Sequence, residues 1–128
     1  MNLMVKPRKF LPEDYVQLEG WGISREVKPP PLKLLSDTGM IVDDVACGFL
    51  YLTNSAIGIL EGFSTNSKAD KNDRSEALNG ITLSLIELAE SKGCKVLKCD
   101  TKIETIVNRA KSFGFIELVG FKTFVKEL

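Results

Sequence analysis

The chain has 128 residues, 44% of them apolar and 27% charged, and its 17 basic residues balance its 17 acidic ones. That is the length of one domain, enough to bury a core without disulfides or metals, and zero net charge argues against nucleic acid as a partner. The absence of histidine excludes Ser-His-Asp and Cys-His catalysis and any zinc site that needs His, and no apolar run reaches the length of a membrane span.

Residues 1–10 read as a short first strand through Leu3 to Val5, with no secretion signal. Pro12, Glu13 and Asp14 mark a helix start, and the helix carries Tyr15, Leu18 and Trp21 until Gly20 and Gly22 break or end it. Residues 27–35 contain Pro29, Pro30 and Pro31 and form an extended connector. Three strands follow as an antiparallel meander: residues 40–45, 46–53 and 57–64. The middle one is apolar on both sides, the mark of an interior strand. In the third, Ile57, Ile59, Glu61 and Phe63 share a face, opposite Gly58 and Gly62. A glycine inside a strand marks a bulge or a close backbone approach.

After a polar loop, Leu78, Ile81, Leu85, Leu88 and Ala89 recur at helical spacing. Asp73 and Glu76 have capping-box spacing at the start of this helix, and Gly93 closes it. Residues 95–99 are a strand, and Thr101 with Glu104 makes a second capping-box pair before a helix that stops at Gly114. Residues 115–126 alternate, carry aromatics, and read as one or two strands divided at Gly120. A strand–helix–strand unit over residues 57–99 requires a crossover between parallel strands. The fold class is therefore α/β (α+β): one domain over residues 1–128, with a mixed, mostly antiparallel sheet and helices on both faces. The three cysteines, Cys47, Cys94 and Cys99, lack Cys-x-x-Cys spacing and read as small buried hydrophobes of a reducing, cytoplasmic compartment.

This order of elements resembles the GNAT superfamily of acyl-CoA N-acyltransferases. The likeness is sharpest in KSFGFIELVGFKTFVKEL, residues 111–128, and in LIELAESKGCKVLKCDT, residues 85–101. The stretch CGFLYLTNSAIGILEGFSTN is similar to small acetyltransferase-like proteins of tailed phages, which would place the protein in a host cytoplasm. The resemblance implies acetyl-CoA as acyl donor, a small-molecule or protein amine as acceptor, and no metal. It leaves open a homodimer or a phage or host protein partner.

The family's pyrophosphate loop, Arg/Gln-x-x-Gly-x-Gly/Ala at a helix N-terminus, falls on Arg74, Ser75, Glu76, Ala77, Leu78 and Asn79. Such a loop offers backbone N–H groups and a helix dipole to an anion. Arg74 is kept, while Ala77 stands where the family has its first glycine and Asn79 where it has Gly or Ala. A helix start capped by Asp73 and Glu76 is the competing reading of the same residues.

The resemblance assigns Glu61 as general base through water, and the backbone of Phe63, Ser64 and Thr65 as the edge for pantetheine. Trp21 and Tyr51 would line the substrate pocket. The family's tyrosine acid falls on Ala110, which cannot donate a proton. Three readings stand: an N-acetyltransferase, a CoA-binding module without turnover, and a non-catalytic phage structural or host-interaction protein on the same fold.

Overall fold

The computed structural model describes residues 6–101 and 103–128. The expected strand at residues 3–5 lies outside them. The first strand described, β1 (Arg8–Lys9), has two residues and pairs with β2 (Gly39–Val42). A meander joins β2, β3 (Ala46–Leu52) and β4 (Ile57–Thr65), and β5 (Val96–Cys99) adds parallel to β4. The sheet order is β1-β2-β3-β4-β5, mixed and mostly antiparallel as expected.

Helix α1 (Tyr15–Arg25) covers one face, after a single 3-10 turn over Pro12–Asp14. It does not break at its glycines. Gly20 faces open solvent, and Gly22 gives room for the returning chain: a Cβ there would collide with the Val27 carbonyl oxygen. The Val27 N–H donates to that glycine's own carbonyl at 2.9 Å. A close approach, not a helix end, is what this glycine provides. The entrance to α1 is fixed by charge. Asp14, only 6% exposed, accepts from the Arg8 guanidinium at 2.7 and 2.9 Å and from the Leu11 N–H at 2.8 Å. The same guanidinium reaches Asp43 in the β2–β3 turn at 2.6 Å.

Helix α2 (Lys71–Ser91) covers the other face. Alternation along β3 splits the core in two. Ala46 and Leu50 pack with Leu60, Ala77, Ile81, Leu85 and Ala89 under α2. Cys47 and Phe49 pack with Phe10, Leu18, Trp21 and Ile41 under α1. A strand buried on both faces is the interior strand its sequence called for. No helix among the described residues is long and apolar enough to cross a membrane.

Helix α3 (Glu104–Ser112) follows β5 and ends before Gly114. The Thr101–Glu104 capping box does not form. Ile103 occupies the cap position, and the Thr101 hydroxyl accepts instead from the Ile103 N–H at 3.1 Å. The expected closing strands are also absent among the described residues: residues 115–128 run without a ladder, bent at Gly120, with Phe121, Phe124 and Val125 exposed. Alternation sets an extended conformation, but only a partner edge makes it a strand.

Candidate active site

The site is built from a fork in the sheet. β4 and β5 pair from Ile57↔Val96 to Leu60↔Cys99, and there β5 stops. β4 continues to Thr65, still paired with β3 through Ala46↔Thr65 and Cys47↔Ser64. Between those pairs and Phe49↔Glu61 the register shifts, so that Gly48 alone stands opposite Gly62 and Phe63. This is a bulge on β4. Gly62 has φ of +74°, a conformation that side-chain-bearing residues rarely adopt. Beyond the bulge the outer backbone edge of β4 has no ladder partner among the described residues.

The bulge also corrects the strand's facing. Strict alternation puts Phe63 on the side of Glu61. The extra residue moves it to the α2 face, where its ring lies over Gly48 and against the core under that helix. Glu61 stays on the α1 face, exposed, opposite Phe49 and next to Ile59 and Tyr51. Its charge is felt on both sides of the fork. Burial pushes the Tyr51 hydroxyl's pKa up, and Glu61 adds to the rise. Burial likewise pushes up the Cys99 thiol, with Asp100 and then Glu61 contributing. Glu61 therefore sits at the mouth of the fork, in no ion pair among the described residues.

Tyr51 and Trp21, both expected in a substrate pocket, differ in what they do. The Tyr51 hydroxyl donates to the Leu34 carbonyl at 3.1 Å, and the Tyr15 hydroxyl donates to the Pro30 carbonyl at 2.6 Å. Together they hold the prolyl connector along the sheet. Trp21 is a core residue, 5% exposed, and its ring belongs to the packing under α1.

The segment from Arg74 to Asn79 is not a loop. α2 begins at Lys71, and its cap is Asp70, whose carboxylate accepts from the Asn72 N–H at 3.0 Å and the Asp73 N–H at 3.4 Å. The cap expected at Asp73 is thereby corrected: this residue lies in the first turn, and Glu76 lies in the helix body. Within a helix the N–H groups bond back four residues. The Arg74 N–H does so onto the Asp70 carbonyl at 2.9 Å. Ala77 is fully buried against the sheet. What Arg74 offers is its side chain, whose Nε is buried without a partner among the described residues.

Two arginines that sequence reasoning missed complete the surroundings. Arg109 on α3 donates to the Ser75 carbonyl at 3.2 Å and to the Asn79 side-chain oxygen, clamping α3 to α2. Burial lowers its pKa. Arg25, at the end of α1, donates to the Thr65 carbonyl at 3.1 Å and to the Thr65 hydroxyl at 2.6 Å, bracing the far end of β4. Neither contact has a local sequence signature, since each partner lies 30 or more positions away.

The chain shares its fold with, among others, two solved structures described as acetyltransferases. One, from Agrobacterium tumefaciens str. C58, is described as a "putative acetyltransferase"; it is 16% identical, with a TM-score of 0.65 over 94% of this chain and all of that one. The other is aminoglycoside N-acetyltransferase AAC(6')-Iy in complex with CoA, 15% identical, with a TM-score of 0.58 over 96% of this chain and all of that one. At such identities the likeness is one of fold. No protein-family profile matches the sequence, and no curated protein matches it.

Proposed function

We propose that the chain is an N-acyltransferase that binds an acyl-CoA in the fork between β4 and β5 and passes the acyl group to an amine. One observation carries the reading. The ladder between these strands ends at Leu60 and Cys99, while β4 continues past a bulge with its outer edge unpaired. An extended pantetheine arm is an amide chain, and an unpaired strand edge is what such a chain can hydrogen-bond to. Phe63, Ser64 and Thr65 supply that edge. The phosphates rest near the start of α2, where the Arg74 guanidinium and the side chains of Ser75 and Asn79 face them. Ala77, having no surface, contributes packing alone.

Bound there, the thioester supplies an activated acyl carbonyl. Glu61 stands on the opposite face of β4 from Phe63, at the mouth, and takes through a water the proton that the amine must lose when its nitrogen forms the new C–N bond. The C–S bond breaks, and solvent returns a proton to the departing sulfur, since Ala110 carries no hydroxyl. Tyr51 holds the prolyl connector that borders the acceptor side.

Calorimetric titration with acetyl-CoA tests the reading. Binding is expected, with affinity falling about tenfold in Arg74→Ala, the scale of one charge-assisted contact. With an amine found by a thiol-release screen, Glu61→Gln lowers kcat about 100-fold or more while leaving the thioester's affinity in place. Absence of both heat and thermal stabilisation at millimolar acetyl-CoA would leave the non-catalytic reading standing.

A further inference from the structure

A cavity of about 40 Å³ lies where β4, α2, β5 and α3 meet. Leu60 and Phe63 wall it from either side of the bulge, Cys99 from the last position of β5, Thr82 from α2, and Ile106 and Ala110 from α3. It therefore borders the fork itself. The lining is apolar apart from Thr82, whose hydroxyl is spent on the Leu78 carbonyl of its own helix at 2.7 Å, and Arg109, whose guanidinium donates to α2. The Arg109 clamp between α3 and α2 fixes the separation of two of the walls. The Cys99 thiol, whose pKa burial pushes up, acts as wall and not as a competing nucleophile.

We infer that this cavity receives the acyl chain of the thioester, and that Ala110 sets its depth for propionyl or butyryl groups in preference to acetyl. The inference rests on the acyltransferase reading and adds the donor class to it. At ~10–15 Å³ for each water-sized group, the cavity takes about three such groups. One methyl leaves most of that volume empty, and an apolar void beside a bound ligand is a lost contact. Ala110 is the wall residue whose side chain ends at Cβ, so the space over it is where a longer chain goes.

The experiment compares the affinities of CoA, acetyl-CoA, propionyl-CoA and butyryl-CoA for the full chain by calorimetry. Each added methylene is expected to tighten binding about fourfold, so butyryl-CoA exceeds acetyl-CoA by about fifteenfold. Ala110→Leu fills the cavity and brings that ratio close to one. Ala110→Val, a smaller change that serves if the leucine variant fails to fold, lowers it part of the way. The ratio cancels any general loss of affinity. Equal affinities of the acyl-CoAs in the wild type overturn the pocket and leave the acyltransferase reading intact, as does a ratio unchanged in Ala110→Val. Failure of CoA and all three thioesters to bind refutes both.

Discussion

Replacing Gly62 by alanine perturbs the bulge on which the fork depends. The added Cβ meets two penalties. At φ of +74° an L residue is strained by ~1–2 kcal/mol. The Cβ also stands 2.9 Å from Cδ1 of the fully buried Phe49 ring, so one of the two must shift, at ~1 kcal/mol. The sum is ~2–3 kcal/mol. For a domain of this length 1 kcal/mol corresponds to ~4 °C in Tm, so Gly62→Ala melts ~10 °C lower. Gly20→Ala is the matched control. Its Cβ meets nothing within 4 Å, and it sits in the middle of exposed helix, where alanine is favoured over glycine by ~1 kcal/mol. It raises Tm by a few degrees. Differential scanning calorimetry on the three proteins decides the matter. A Gly62→Ala Tm within 2 °C of wild type, or a Gly20→Ala variant destabilised as much, would refute the account of the bulge.

Acid stability tests the cluster at the entrance to α1. The Arg8 guanidinium holds the Asp14 carboxyl below the usual range, and Arg8 with Gln17 holds that of Asp43 at about 2. Depressed carboxyls stabilise the fold above their unfolded pKa, near 4, and that contribution is lost as pH falls toward 2. Tm measured between pH 5 and pH 2 is expected to fall more steeply in wild type than in Arg8→Gln; parallel curves would remove the pair's role. Thiol labelling tests the burial of Cys47, whose pKa is pushed up to about 12 by desolvation. At pH 8 it reacts only as fast as the protein unfolds, while the partly exposed Cys94 reacts in the native state, and prompt labelling of Cys47 would contradict the packing under α1.

The sheet was legible because its signal is local and repeated. Alternation over residues 46–52, apolar on both sides, is enough to place an interior strand, and Gly62 inside a strand is enough to suspect a bulge. The consequence of the bulge was not legible: period-two counting assumes an unbroken register, so Phe63 was assigned to the wrong face. The start of α2 was misplaced for a related reason. Asp70 and Asp73 are both competent caps, and Asp73 has the better partner in Glu76. Each residue added to a helix brings a hydrogen bond, so the helix reaches back to the earlier cap. The clamps made by Arg25 and Arg109 were invisible, since a long cation can reach many carbonyls and only the fold chooses one.

The prolyl connector carries a consequence for the protein's handling by proteases. Proline limits the conformations open to the unfolded chain, so ordering this stretch costs less entropy than its irregular path suggests. Two phenol tethers then hold it, at Pro30 and Leu34. Lys28 precedes a proline, and Lys33 lies inside a 3-10 turn over Leu32–Leu34. Proteases need several residues of free, extended chain on either side of the bond they cut, and neither lysine offers that. The irregular stretch between α1 and β2 thus offers a trypsin-like protease no ready site at either lysine.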